Sequence, residues 1–233
     1  MIGIIGAMQI EIDNLLKILK NEEVVTISGI KYIKGTIHNK NVVIAKCGVG
    51  KVFAAMCTQT MILKFSPEII INTGISGGIK DLDIGDVIIA DKVVQHDMDT
   101  TPLGDPKGMI SGINLIHIPC SKDIVEKLDG VLGKENIKHK IGTIATGDQF
   151  ISSTRDIERI NKEFRAIAFD MESGAIGQVC FVNQVEYGIV RSISDNGNDE
   201  AGKDFGKFAK NAAKVSALVV EKFIKTEIVT NNT

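Results

Sequence analysis

Short runs of β-branched residues alternate along the chain with segments in which apolar residues recur at helical spacing. This alternation is typical of a sheet sandwiched between helices. We expect a largely parallel sheet with an antiparallel portion between Val24 and Lys46. The predicted strands are Ile2–Ile5, Val24–Ile27, Ile30–Ile37, Val42–Lys46, Glu68–Asn72, Val87–Val94, Lys140–Ala145, Ala166–Phe169 and Tyr187–Ile193.

Helical periodicity is clearest in three segments. Ser153, followed three residues later by Asp156, resembles a capping box and predicts a helix that runs to about Phe164. No repeat or linker interrupts the pattern, so we expect one domain over residues 1–228 and a polar tail over 229–233. The apolar stripes of the other two helices are Ile12, Leu15, Leu16 and Leu19 near the start, and Phe208, Ala212, Val215, Val219 and Phe223 near the end.

Charge and composition narrow the class of protein. The 27 Lys and Arg residues nearly balance 29 Asp and Glu residues, which leaves no large basic face for a nucleic acid. No apolar run is long enough to span a bilayer, and the first residues lack the basic region of a signal peptide. The cysteines form no CxxC pair, so we expect reduced thiols in a cytoplasmic protein; they are Cys47, Cys57, Cys120 and Cys180.

Three glycine-rich segments resemble nucleotide-binding loops only in part. Gly3-Ile-Ile-Gly6 lacks the full dinucleotide fingerprint, and Gly48-Val-Gly-Lys51 lacks the first glycine and the hydroxyl residue of a phosphate loop. Asn72-Thr-Gly-Ile-Ser-Gly-Gly78 follows an apolar strand, where glycines would let backbone N–H groups approach a small ligand. Taken alone, this segment is more typical of a tight turn.

Acidic residues follow three of the predicted strands. Glu11 comes just after the first strand, Asp170 and Glu172 after the strand that ends at Phe169, and Asp195 after the last strand, close to Arg191. Glu11, Asp170 or Glu172 alone could complement a helix dipole, and Arg191 with Asp195 could form a surface ion pair. Because strand ends on one edge of a sheet converge on one cleft, acids at three strand ends together indicate an active site.

Two other features allow bland explanations. His96 has Asp97 as a neighbour but no second metal ligand at helical or hairpin spacing, so we expect a structural histidine and no metal site. The segment Asp97–Gly112 is rich in glycine and proline and shows no periodic pattern. It is either an active-site or interface loop or a tolerated surface excursion.

Six motifs occur in the order and spacing of bacterial 5′-methylthioadenosine/S-adenosylhomocysteine nucleosidases, so the whole chain resembles that family. They are Gly3-Ile-Ile-Gly-Ala-Met-x-x-Glu11, Gly48-Val-Gly-Lys-Val52, Asn72-Thr-Gly-x-x-Gly-Gly78, Gly147-Asp-x-Phe-Ile151, Met171-Glu172 and Arg191-x-Ile-Ser-Asp195. The resemblance implies a three-layer α/β/α sandwich around a twisted mixed β-sheet, as in nucleoside phosphorylases. It also implies a homodimer that hydrolyses an adenine nucleoside to adenine and a 5-thio-substituted ribose, without a cofactor.

The resemblance also implies roles for individual residues. Asp195 would protonate adenine at N7, Glu11 would orient and deprotonate the attacking water, and Glu172 would bind the ribose hydroxyls. Arg191 would belong to the same catalytic group. Around the substrate would lie Met171 at the ribose, Phe150 and Ile151 at adenine, Met8, Val49 and Phe205 at the 5′-thio group, Ile75, Ser76, Gly77 and Ser194 nearby, and Leu103 and Ser111 from the neighbouring subunit.

Two positions depart from the family pattern, and three other functions compete. Ile75 stands where relatives carry serine, with Ser76 one place later, and Asp170 stands where they usually have glutamate. A nucleoside phosphorylase is the nearest rival, but arginines that would bind phosphate are absent from the glycine-rich loops. A futalosine-type hydrolase and a nucleoside-binding sensor without turnover remain alternatives.

Overall fold

The computed structural model describes residues 1–79, 81–197 and 200–227. Its ten strands are β1 (Ile2–Gly6), β2 (Lys20–Ile27), β3 (Ile30–Ile37), β4 (Lys40–Lys46), β5 (Ile69–Gly78), β6 (Val87–Gln95), β7 (Ile118–Pro119), β8 (His139–Thr146), β9 (Ala166–Asp170) and β10 (Glu186–Asp195). Its helices are α1 (Gln9–Leu16), α2 (Lys51–Phe65), α3 (Lys122–Lys134), α4 (Thr154–Phe164), α5 (Ser173–Val182) and α6 (Ala201–Thr226).

All ten strands belong to one mixed sheet. Strands β1, β4, β5 and β10 run parallel at its centre, while β2, β3 and β4 form an antiparallel meander at one side. Strand β5 pairs with β10 along its length and with β9 at its end, so β5, β10, β6, β8 and β9 close into a circuit. The carboxyl ends of β1, β5 and β10 therefore meet near the end of β9.

Helices cover the sheet on both sides. On one side α6 packs on β5 and β10 and also contacts α1 and α3. On the other side α2 and α5 pack against each other, and α5 lies on β6 and β8. Within the described residues, none of these helices is both long and apolar enough to cross a membrane.

The predicted α/β/α class and the antiparallel portion between Val24 and Lys46 are confirmed. The N-cap role of Ser153 also matches the structure, since its side chain accepts the Asp156 N–H at 3.2 Å. The predicted tail over 229–233 lies outside the described residues. The single-domain assignment remains a prediction.

Three boundary predictions were wrong. Helix α1 ends at Leu16, so Leu19 lies beyond it, although the side chain is still buried in the core. Residues Asn72–Gly78 are not a tight turn, because β5 continues through them to pair with β10 and β9. Strand β2 begins at Lys20, four residues before the predicted start, because pairing with β3 holds these exposed polar residues in extended form.

Candidate active site

A cavity with about 150 Å³ of water-accessible volume opens at the sheet edge where β1, β5, β9 and β10 end. It lies among the end of β1, the second half of β5, the loop after β8, the end of β9, the end of β10 and the first turns of α6. The described residues that line it are Ala7, Met8, Glu11, Val49, Ile75, Ser76, Gly77, Gln149, Phe150, Ile151, Phe169, Asp170, Met171, Glu172, Ser194, Asp195 and Phe205.

Glu11 lies in the first turn of α1, with its side chain folded back over the helix start. One carboxylate oxygen accepts the N–H groups of Ala7 at 2.7 Å and Met8 at 2.8 Å, and the other accepts the Ile75 N–H at 3.1 Å. Burial raises the pKa of Glu11, while nearby Arg191 and these three donors offset part of that effect. The result is an oriented carboxylate that is a stronger base than one in water.

Arg191 lies beneath the cavity floor, where it is completely buried. It pairs with Asp170, to which its Nε donates at 2.8 Å. The alternative interpretation of the sequence, a surface ion pair between Arg191 and Asp195, is therefore wrong. Its Nη2 donates to Asn72 at 2.6 Å and to the Ser173 hydroxyl at 2.9 Å. The Ser173 hydroxyl in turn donates a short hydrogen bond to Asp170. The guanidinium therefore acts on the site through its charge and through the residues that it holds.

Glu172 is the residue just before the first turn of α5, where its side chain makes no capping hydrogen bond, and it faces the cavity. Its side chain accepts the Gly50 N–H at 2.9 Å, which links it to the start of α2. Burial and the neighbouring Asp170 carboxylate raise its pKa to about 7, although Arg191 and the Gly50 donor act in the opposite direction. Glu172 can therefore change protonation state near neutral pH.

Asp195 is the last residue of β10 and is 2% exposed. The Ser194 hydroxyl donates to it at 2.8 Å and the Gly197 N–H at 3.0 Å. Burial raises the pKa of Asp195, and the two donors offset this only in part. A carboxyl group with a raised pKa is suited to hold a proton and deliver it to a substrate.

One end of the cavity is apolar. Ile75 packs on the alanines of α6, with Met8 and Phe205 beside it. Phe150 meets Phe205 edge to face, with ring centroids 5.8 Å apart. Phe150 and Val49 are each about half exposed, so this end is open to solvent in the single chain.

The structure brings most of the predicted site residues to this one cavity, including Ile75 and Ser76 at the position of the sequence departure. Buried Ser76 has no hydrogen-bond partner for its hydroxyl among the described residues. Leu103 and Ser111 do not line the cavity of their own chain; both are exposed, Leu103 by 83%. His96 is buried against Gly147, in keeping with a structural histidine, and burial lowers its pKa.

Sequence reasoning missed several residues that support the site. A Cβ atom on Gly74 would lie 2.5 Å from the Glu11 carboxylate and 2.6 Å from the Arg191 guanidinium, so only glycine leaves room for both. Asn72 and Ser173 anchor Arg191. The sequence offered two signals for this arrangement: the acid Asp170 before Met171-Glu172, and the motif that begins at Arg191. Neither signal shows that Asp170 and Arg191 form a pair.

Comparison with known proteins agrees with this geometry. Residues 1–225 match the family model described as the phosphorylase superfamily. A 5′-methylthioadenosine/S-adenosylhomocysteine nucleosidase of Staphylococcus aureus is 38% identical over 226 residues, which cover 96% of this chain and 99% of the relative. The chain therefore belongs to the phosphorylase superfamily and, within it, to the 5′-methylthioadenosine/S-adenosylhomocysteine nucleosidase family.

Two solved structures extend the comparison. The nucleosidase of Neisseria meningitidis, in complex with methylthio-immucillin-A, has a TM-score of 0.94 and 31% identity over 97% of this chain and 99% of that one. Futalosine hydrolase of Helicobacter pylori has the same TM-score, with 34% identity over 97% of each chain. The resemblance inferred from sequence is confirmed, and futalosine hydrolase is a close structural neighbour.

Proposed function

We propose that the cavity hydrolyses the N-glycosidic bond of 5′-methylthioadenosine and S-adenosylhomocysteine, with Glu11 activating water and Asp195 protonating the departing adenine. The observation that carries this proposal is the set of three buried carboxyl groups, each held by its own hydrogen-bond donors around one cavity. The products are adenine and a 5-thio-substituted ribose.

The charges of the site suit this chemistry. Cleavage of a glycosidic bond develops positive charge on the sugar and negative charge on the leaving base. Glu172 would accept hydrogen bonds from the ribose hydroxyls when ionised, and Glu11 would take a proton from the water. Asp195, whose pKa burial raises, would place a proton on adenine N7.

The apolar end of the cavity supports a substrate with a thioether tail. Met8, Ile75 and Phe205 form an apolar wall of the cavity. An isoleucine in place of a serine adds apolar surface there but no hydrogen bond to the water. We propose that the backbone N–H of Ile75, which already holds Glu11, orients the base in this chain.

Water is the better nucleophile for this site than phosphate. A phosphate ion would need free cationic or N–H donors at the ribose face. Arg191 lies beneath this face, but its Nε and Nη2 donors are engaged by Asp170, Asn72 and Ser173. The Gly50 N–H is likewise taken by Glu172.

The test is adenine release from 5′-methylthioadenosine, S-adenosylhomocysteine and futalosine, each with and without phosphate and with a chelator. We expect adenine release from the first two substrates. For each of them, phosphate and chelator should leave the rate unchanged. A ribose-1-phosphate product, or loss of activity with chelator, would contradict hydrolysis without metal. A strong preference for futalosine would instead place the chain with the hydrolase of that nucleoside.

We also propose that the active form is a homodimer. Helix α2 presents apolar residues at helical spacing, of which Val52 is 77% and Leu63 75% exposed. The adjoining end of α5 adds exposed Phe181 and Val182, and Gln59 and Asn183 join the two helices by hydrogen bonds. Contiguous exposed apolar surface of this kind marks protein interfaces.

The free, buried cysteines agree with the proposed cytoplasmic location.

A further inference from the structure

A cluster of three charged residues, Lys51, Asp97 and Asp148, lies outside the cavity and joins three segments of the chain. The Lys51 ammonium contacts Asp97 at 2.7 Å, and the other Asp97 oxygen accepts the Asp148 N–H at 3.0 Å. The Asp148 carboxylate accepts the Lys51 N–H at 2.8 Å. The start of α2, the end of β6 and the loop after β8 are thereby closed into one ring of contacts.

This ring includes the peptide that serves the site. Gly50 and Lys51 are consecutive, and the Gly50 N–H donates to Glu172 while the Lys51 N–H donates to Asp148. Gly50 has a φ of +101°, and a Cβ atom there would lie 3.1 Å from the Asp148 carboxylate. The position of the Gly50 donor therefore depends on the contacts of Lys51.

The same ring includes the loop expected to hold adenine. Asp148 is followed by Gln149, Phe150 and Ile151, which line the cavity at the base side. Asp97 holds the Asp148 backbone, so one carboxylate fixes both the ribose side and the base side. The Lys51 and Asp97 side chains are only about one fifth exposed, where an ion pair is less screened than at the open surface.

We propose that Lys51 and Asp97 are positioning residues. They hold the Gly50 N–H on Glu172 and couple the loop from Asp148 to Ile151 to Glu172. This rests on the proposed function, in which Glu172 binds the ribose hydroxyls. Neither residue lines the cavity. Their effect reaches it only through Gly50 and Asp148.

The protonation of Glu172 provides a specific readout. The Gly50 N–H favours the ionised carboxylate, so its loss raises the pKa of Glu172 from about 7. The other charged groups that face Glu172 are Asp170, Arg191 and Glu11, and the Cys47 thiol lies nearby. None of these is altered when Lys51 or Asp97 is replaced. An upward shift in the acidic limb of the pH profile would therefore report on the Gly50 contact.

The experiment compares Lys51→Met and Asp97→Asn with the unaltered enzyme, using 5′-methylthioadenosine. We expect KM to rise about tenfold, as for a lost hydrogen bond to a charged group, while kcat changes by less than about threefold. The acidic limb of kcat/KM should move to higher pH. Lys51→Arg, which keeps the cation, should restore most of both parameters.

Lys222→Met is the matched control, because it breaks an ion pair of 3.0 Å with Glu135. This pair joins the last turns of α6 to the end of α3 and does not line the cavity. It should leave KM and the pH profile unchanged. Unaltered KM and acidic limb in Lys51→Met and Asp97→Asn would overturn the inference, and so would a loss confined to kcat. If Lys51→Met does not fold, Asp97→Asn decides, since it keeps the side-chain size and removes only the charge. Glu172→Gln separates the two hypotheses: near-normal activity in that variant contradicts the proposed function itself.

Discussion

The two ends of the cavity are built differently. At the carboxylate end, Glu11 and Asp195 are almost completely buried, and each accepts hydrogen bonds from backbone N–H groups at strand ends. At the apolar end, Phe150 and Val49 are about half exposed, and Phe150 contacts the ring of Phe205 edge to face. The first end is complete within one chain, whereas the second is open.

This difference separates the reaction from the choice of substrate. Backbone donors on a rigid sheet fix a carboxylate without adjustment when the substrate arrives, which favours catalysis. Apolar side chains at an open rim can accept tails of different size, so specificity depends on what closes the rim. The comparison therefore predicts large effects on turnover at the first end and smaller, substrate-dependent effects at the second.

The largest effects should come from Glu11→Gln and Asp195→Asn. Each replacement keeps the side-chain shape but removes the base or the acid, so kcat should fall at least about a hundredfold. Steady-state adenine release measures the loss, and circular dichroism checks that the fold survives.

Glu22→Gln is a suitable control, because Glu22 is an exposed acid on β2, outside the cavity. It should retain full activity. Near-normal kcat in a folded Glu11→Gln or Asp195→Asn variant would refute the role assigned to that residue.

An intermediate effect is expected from Gly74→Ala. The added methyl group would meet both the Glu11 carboxylate and the Arg191 guanidinium, so one of them must move. Overpacking of this kind costs about 1–3 kcal/mol, and we expect a lower free energy of unfolding together with roughly tenfold lower kcat/KM. Urea unfolding and adenine release measure the two quantities.

Gly130→Ala provides the comparison for this variant. Gly130 lies within α3, and a Cβ atom there would meet nothing within 4 Å apart from the chain neighbours and backbone of its own helix. This substitution should leave activity unchanged. Equal behaviour of Gly74→Ala and Gly130→Ala would show that the close approach at Gly74 has no functional consequence.

Sequence patterns predicted the acids of the site because strand ends converge in any sheet of this kind. Glu11 and Glu172 follow two different strands and Asp195 ends a third, and the structure places all three on one cavity. The arrangement of Asp170 around Arg191 could not be predicted. Local spacing favours a pair between Arg191 and Asp195, whereas the observed partner is 21 residues away and lies on β9, a strand that pairs with β5 and β8.

The extended conformation of Asn72–Gly78 also could not be predicted from the local sequence pattern. Its glycines are typical of a turn, yet tertiary pairing with β10 and β9 keeps the segment extended. The glycines serve close approach instead: Gly74 makes room for Glu11, and Gly77 lies against Asp195. Space requirements of this kind appear only when the side chains of distant elements are placed together.

The smallest effect should come from Leu103→Ala, which tests what closes the apolar end. Leu103 lies in a short 3₁₀ turn of the Asp97–Gly112 loop and is 83% exposed in the single chain. If this loop covers the cavity of a second copy, the variant loses a few methylenes beside the thioether tail. That loss is worth about 1 kcal/mol, or roughly a fivefold rise in KM for 5′-methylthioadenosine. Adenosine lacks the apolar tail and should be affected much less.

Leu218→Ala, on the partly exposed face of α6, is the control and should change KM for neither substrate. Sedimentation velocity run in parallel shows whether the variant remains a dimer. An equal penalty on both substrates, or a monomeric enzyme with unaltered kinetics, would place the loop away from the 5′ end and leave that end to be closed by residues of its own chain.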